Sequence, residues 1–221
     1  MAASGPAILY QDDDLVVVDK RPTELSAASP GSDRESLERV LEALLGGRIW
    51  VVQRLDVGTS GVLLYARTTA ANRGLVETFR LHELERDYLA VLEGEPDLPE
   101  GRRRIEAPVR GRHAVTEFTF VERIGPLAMP LATITRCRLF TGRTHQIRKH
   151  ARRLGSFVLG DERHGTRTNH DPPRLALHAA RLALRHPTTG AALELRAELP
   201  PDLAEWLEAL RKHAADLRAD D

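Results

Sequence analysis

One cysteine stands in this chain of 221 residues, and nothing in the composition calls for covalent or metal bracing. Cys137 admits no internal disulfide and fits a reducing compartment. Within "LATITRCRLF" it shares a strand face with Leu139, the position of a packed thiol rather than a nucleophile. Long apolar runs are also missing. Stretches such as "LVVV" are too short to span a bilayer, and "MAASGPAILYQDDD" has neither the basic start nor the apolar core of a secretory signal. These lacks point to a cytoplasmic protein with no membrane partner. No internal repeat, low-complexity tract or long linker divides the chain, so one unit of catalytic size is expected. No heptads or exposed apolar helix call for self-association, and a monomer is expected. The apolar fraction of 42% and charged fraction of 29% are those of a globular domain large enough to bury its own core.

An excess of either charge is absent as well: 32 Lys and Arg balance 32 Asp and Glu. The distribution is uneven, however. Ile134 to Arg153 holds seven basic residues (Arg136, Arg138, Arg143, Arg148, Lys149, Arg152, Arg153), two histidines and no acid. A second cluster, "GRRRIEAPVRGR", sets Arg102, Arg103, Arg104, Arg110 and Arg112 against Glu106 alone. One such cluster can be a solvated face; two together point to a local positive field and an anionic partner.

Hydropathy patterning predicts two strands around an acidic turn in "AILYQDDDLVVVDK", then a helix in "SDRESLERVLEALLGG" capped by Ser32 or Asp33 and stopped by Gly46 and Gly47. "RIWVVQ" and "GVLLYAR" read as strands, Thr68 to about His82 as a helix, and "ERDYLAVLEGE", "HAVTEFTFVER" and "LATITRCRLF" as further strands. A helix from about Thr144 to Leu154 ends at Gly155. The segment "PPRLALHAARLALRHPTTGAALELRAE" reads as a hairpin turning at Pro187 to Gly190, and a last helix covers about Pro201 to Leu217. Helices do not alternate regularly with strands, which argues for α+β with a largely antiparallel sheet.

Two stretches carry candidate chemistry. In "VVQRLDVGTSGVLLYAR", Asp56 sits where an irregular turn becomes a strand. Such an aspartate ordinarily caps backbone N–H groups; a functional one needs a cation to keep it ionised when substrate excludes water. In "LFTGRTHQIRKHARRLG", Thr144 can cap a helix on which Ile147, Ala151 and Leu154 form the core side. His145, Arg148, Lys149 and Arg152 fall on the adjoining side, a cationic stripe suited to a phosphodiester backbone or, more blandly, a solvated face.

"QRLDVGTSGVLLYAR" resembles the H-R-L-D-x-x-T-S-G-L-L-L motif of the RluA family of pseudouridine synthases, and "TGRTHQIRKHARRLGSFVLGDERHG" its T-G-R-x-H-Q-I-R…G-D…G block. "ERDYLAVLEG" is similar to the K-x-Y-x-A-x-V-x-G strand and "RLALHAARLALRHPTTG" to the L-x-L-H-A…H-P strand, all four in the family's order. Within the family, "LGDERHGTRTN" looks most like the tRNA pseudouridine synthase C branch. The resemblance implies a pseudouridine synthase-like α+β catalytic domain over residues 1–221: a largely antiparallel mixed sheet, flanking helices, a basic central cleft and no separate N-terminal S4-like RNA-binding domain. It implies isomerisation of a uridine in structured RNA, tRNA first and 23S ribosomal RNA as the alternative, with no cofactor or metal.

By the same resemblance Asp56 is the essential carboxylate, Tyr88 packs on the uracil and helps remove the C5 proton, and Arg148 pairs with the aspartate. Arg54 lies close to the RNA and Leu177 lines the pocket; Thr59, Arg143, His145, Gln146, Lys149 and Arg152 are expected to contact substrate or RNA. An aromatic face suits a base that must leave its stack and turn, since stacking tolerates in-plane rotation. Gln53 replaces the family's histidine before R-L-D, which removes any charge there. Arg86 stands for the lysine two before the tyrosine, and "DKRPTEL" carries Glu24 where K-P-x-G expects glycine. His145 and His150, five apart, point in different directions on a helix and make a zinc site a poor reading. Two alternatives accompany this one: an inactive, RNA-binding family member, with Gln53 its best support, and a metal-dependent phosphate-handling enzyme using "QDDD".

Overall fold

The computed structural model describes residues 5–28, 34–99 and 101–219. In chain order its elements are β1 (Ala7–Gln11), β2 (Leu15–Lys20), α1 (Leu37–Leu45), β3 (Trp50–Val51), β4 (Ser60–Ala66), α2 (Thr69–Leu81), β5 (Leu84–Glu93), β6 (Arg102–Glu106), β7 (Val115–Ile124), β8 (Ala132–Leu139), α3 (Gln146–Ala151), β9 (Leu177–Arg185), β10 (Ala192–Arg196) and α4 (Pro201–Ala219). The fold is α+β, as the irregular alternation of patterns implies. The chain divides into two compact units, Met1–Arg86 with Ala179–Glu198 and Asp87–His178 with Leu199–Asp221.

In the first unit β2 pairs antiparallel with β1 and β4, β3 with β4, and β9 with β10. Every residue of β4 is buried, the signature of a strand covered on both faces. Leu64 and Ala66 of β4 join Leu15, Val17, Leu182, Leu184 and Leu195 in one apolar cluster, which α2 closes with Ala71 and Leu75. Thr68 caps α2 by accepting Ala71 N–H, and His82 ends it in the left-handed conformation. The expected caps of α1, Ser32 and Asp33, lie outside the described residues. Its first turn is held by Ser36, whose side chain accepts Arg39 N–H.

In the second unit β5 pairs with β8, β8 with β7 and β7 with β6, all antiparallel. Leu203, Leu207, Leu210 and Ala214 form the buried stripe of α4. The arginine-rich "RRRIE" stretch, read from sequence only as charge, is strand β6, whose arginines stay exposed while its backbone pairs with β7. α3 is shorter than expected. His145, not Thr144, takes the N-cap position, in the left-handed conformation and with no side-chain cap bond; after Ala151 a 3-10 turn, Arg152–Leu154, carries the chain to Gly155.

Candidate active site

The Asp56 loop is built entirely from first-unit residues. Asp56 and Thr59 bracket a tight turn, Thr59 N–H donating to Asp56 C=O at 3.1 Å, with Gly58 at φ 88° supplying the left-handed step. Three further ties hold this turn. Gly58 N–H donates to Pro22 C=O at 2.9 Å. The Ser26 hydroxyl both accepts Leu55 N–H and donates to Leu55 C=O, each at 3.1 Å, while Tyr65 OH donates to Ser26 C=O at 2.7 Å. Lys20, 1% exposed, sends Nζ to the carbonyls of Thr59 at 2.7 Å and Arg21 at 2.8 Å. Burial, then the charges of Glu38 and Glu24, push the Tyr65 hydroxyl far up, so it stays a donor. The result is a carboxylate, half-buried, on a stiff turn, with Arg54 and Val57 exposed beside it. The Thr59 hydroxyl is buried and has no hydrogen-bond partner among the described residues. Of the residues expected at the site, Arg54, Asp56 and Thr59 belong to this unit.

Tyr88, Arg143, His145, Gln146, Arg148, Lys149, Arg152 and Leu177 belong to the second unit. Tyr88 is 8% exposed on β5 and stands opposite Cys137 of β8, which stands opposite Phe118 of β7. These three side chains form one cross-strand row, in which the ring stands beside a packed thiol and the thiol beside Phe118. Burial pushes the Cys137 thiol up to about 12, as a structural cysteine requires. Leu177 opens β9, 4% exposed.

The cationic stripe expected on α3 is only partly at the surface. Lys149 is half-buried and Arg152 exposed. Arg148 is turned inward, 7% exposed, and grips Asp161 with both arms of its fork, Nε to Oδ2 at 2.7 Å and Nη2 to Oδ1 at 2.6 Å. The Asp161 side chain has no exposed surface and also accepts the N–H groups of Arg163 and His164, each at 3.0 Å. Burial alone would raise its carboxyl, but the Arg148 bonds and charge and the two backbone donors hold it below the ordinary carboxylate range. A bidentate, buried pair of this kind fixes the guanidinium plane.

Gln146, expected to contact substrate or RNA, is 3% exposed and its amide is bonded within the fold. Its Oε1 accepts Thr141 OH at 2.7 Å and Arg143 N–H at 3.0 Å, and its Nε2 donates to Val115 C=O at 3.0 Å and Thr116 Oγ1 at 2.9 Å. The chain of donors continues into His150, whose Nδ1 accepts Thr116 OH at 2.9 Å while Nε2–H donates to Ala107 C=O at 3.0 Å. Burial lowers the His150 pKa and keeps this neutral tautomer. Arg143 Nε donates to His113 C=O at 3.1 Å. His145 meets His164, Nδ1 to Nε2 at 2.8 Å.

The acidic turn of β1 and β2 is likewise occupied. Asp12 accepts Tyr10 OH at 2.5 Å, His186 Nε2–H at 2.9 Å, and the N–H groups of Asp14 and Leu15 at 2.9 and 2.7 Å. Among the described residues no group of three or more His, Cys, Asp or Glu is arranged to hold a metal ion. Sequence reading passed over Lys20, Ser26, Tyr65, Asp161 and His164. All of these but Ser26 stood inside a quoted motif, Lys20 in "DKRPTEL", Tyr65 in "QRLDVGTSGVLLYAR" and Asp161 and His164 in the G-D…G block, where spacing alone gave them no partner.

The Asp56 turn, ahead of an all-buried strand, and the buried Arg148 fork, which ends the T-G-R-x-H-Q-I-R segment, both lie in a stretch of sequence that matches known proteins. The family model described as RNA pseudouridylate synthase matches residues 14–153. An uncharacterized RNA pseudouridine synthase of Bacillus subtilis, YlyB, is 36% identical over 226 residues, spanning 93% of this chain and 73% of its own length. Ribosomal large subunit pseudouridine synthase D of Vibrio cholerae is 34% identical over 239 residues, spanning 94% of this chain and 71% of its own. Among solved structures, human RNA pseudouridylate synthase domain containing 1 superposes with a TM-score of 0.71 at 25% identity, over 94% of this chain and 95% of that one. The chain belongs to the RNA pseudouridylate synthase family, in its RluA group. It is an isomerase that converts uridine in RNA to pseudouridine. No helix among the described residues is long and apolar enough to cross a membrane.

Proposed function

We propose that the chain isomerises one uridine of a folded RNA with Asp56 as the essential carboxylate. The N1–C1′ bond breaks, the uracil turns while held, C5 bonds to C1′, and the C5 proton leaves as N1 gains one. Asp56 attacks C1′ or removes a C2′ proton to give a glycal. Tyr88 packs on the loosened uracil and assists the late loss of the C5 proton. Arg148 supplies the site's fixed positive charge, Leu177 its apolar lining, and Arg54, Thr59, Arg143, His145, Lys149 and Arg152 contact substrate and backbone. The observation that carries this reading is the stiff, four-way-tied turn that presents Asp56 in the family's R-L-D-x-x-T-S-G setting. Such stiffness is what a group needs if it is to meet the reacting carbon without further ordering.

For the substrate, the "LGDERHGTRTN" resemblance favours tRNA. The name of the Vibrio relative favours large-subunit ribosomal RNA and makes that the better supported of the two. Tritium release from transcripts labelled at uridine C5 discriminates them, with primer extension after carbodiimide treatment locating the product. Wild type is expected to release one tritium per ribosomal RNA fragment. Asp56→Asn is expected to bind that RNA within about threefold of wild type and to release nothing; activity above about a tenth of wild type would overturn the assignment of the carboxylate. Binding without release by the wild-type protein would favour an inactive, RNA-binding member.

A further inference from the structure

His164 lies outside every role given above, yet its ring is tied to a residue that has one. Asp161 anchors both ends of this arrangement: its carboxylate holds the Arg148 fork, and its Oδ1 accepts the backbone N–H of His164 at 3.0 Å. From that anchored backbone the His164 ring reaches His145, with Nε2 2.8 Å from Nδ1, ring centroids 5.1 Å apart and planes at 77°. His145 is the residue that needs holding. It sits at φ 57°, ψ 31°, left-handed for a residue with a Cβ, directly before α3. An N–H···N bond between imidazoles requires one ring to donate and the other to accept, so it survives one shared proton and is lost when both rings carry two.

We infer that His164 is a positioning residue for RNA binding: its ring holds His145, through a single shared proton, in the orientation that meets the RNA backbone. This rests on the reading of His145 as an RNA contact. The groups facing His164 are Asp161 and Arg163 from its own loop and Arg148 and Lys149 from α3. Burial lowers its pKa; Asp161 opposes this, and Arg148, Lys149 and Arg163 add to it. The lock is therefore closed at neutral pH and opens on acidification. The Arg148–Asp161 fork does not require the His164 ring, so loss of the ring acts on RNA affinity and not on the chemical step.

The test is a double-mutant cycle on the full chain, read by tritium release and by RNA binding. His164→Phe keeps ring volume and loses both nitrogens. It is expected to raise KM and the RNA dissociation constant about tenfold while kcat stays within about threefold. His164→Gln, which can still hydrogen-bond His145, is expected to restore most of the affinity and to abolish the acid-side loss of kcat/KM that the imidazole pair imposes. In a His145→Ala background, His164→Phe is expected to add nothing. In nitrogen-15 imidazole spectra of the RNA-free protein, the wild type should show an exchange-protected ring N–H that His164→Phe removes. Unchanged KM in His164→Phe, a further loss in the His145→Ala background, or absence of the protected N–H would each overturn the inference. If wild type binds RNA but releases no tritium, the catalytic reading fails, while the binding cycle and the spectra still decide the role of His164.

Discussion

Asp161 shows how a single buried charge sets the geometry of a residue thirteen positions away. Its carboxylate, with no exposed side-chain surface, meets Arg148 bidentately, so a neutral side chain in its place removes the charge that faces the buried guanidinium. Asp161→Asn is expected to cost about 3–5 kcal/mol of folding stability at neutral pH, checked by urea unfolding. The pH dependence follows from the direction of the shift. The folded-state pKa lies below the ordinary value, so Asp161 stabilises the fold fully above the unfolded carboxylate range, near about pH 4. That contribution is lost as pH falls through the depressed folded value. The gap between wild type and variant should hold steady from about pH 5 to 8 and narrow below about pH 4; a gap independent of pH down to about 2 would contradict it. Asp56, Tyr88 and Arg148 were readable as candidates because motif order singles them out. Whether Arg148 lies on a surface stripe or turns inward was not readable, since spacing on a helix gives a face and not the carboxylate that claims it. The partners of Gln146 were not readable for the same reason. Its four hydrogen bonds go to Thr141, Arg143, Val115 and Thr116, and Val115 and Thr116 lie on a strand some thirty residues earlier.

Strand β4 follows the Asp56 turn directly, and Gly61 lets it do so. At Gly61, φ 106°, an added Cβ would come within 2.2 Å of Ala179 C=O; at Gly47, φ 108°, it would meet nothing within 4 Å. The two positions share a backbone strain and differ in space. Gly47→Ala should lose about 1–2 kcal/mol and remain folded, whereas Gly61→Ala should lose that and about 1–3 kcal/mol more, with loss of turnover as the Asp56 turn shifts. Equal melting temperatures for the two variants would show that the close approach to Ala179 carries no weight. At this scale the pattern of apolar residues was a good guide: β1 and β2 around the acidic turn, α2 from its Thr68 cap, and the β9–β10 hairpin at Pro187 to Gly190 all fall where periodicity and turn chemistry put them. Local rules failed where a tertiary partner outbid them. Thr144 could have capped α3, but the Gln146 amide already occupies Thr141 OH and Arg143 N–H, and this closes the chain through His145 instead. β6 escaped notice because an exposed edge strand of arginines shows charge and no alternation of apolar residues.

Across the whole molecule the formal charge sums to zero, so long-range attraction to RNA cannot come from net charge. It must come from local fields, which salt screens over about 8–10 Å and which phosphate contacts convert into counterion release. The first unit offers Arg54, and the second Arg143, Lys149 and Arg152 in and beside α3, with Arg152 exposed and outside the Asp161 pairing that claims Arg148. Arg152→Gln should therefore weaken RNA binding by a similar factor on every RNA tested, cut the slope of log affinity against log salt by about 1, and leave kcat at saturating RNA unchanged. Titrations at several potassium chloride concentrations measure all three quantities. An unchanged slope would remove Arg152 from the RNA contact surface, and a fall in kcat with the slope intact would place it at the reacting uridine instead.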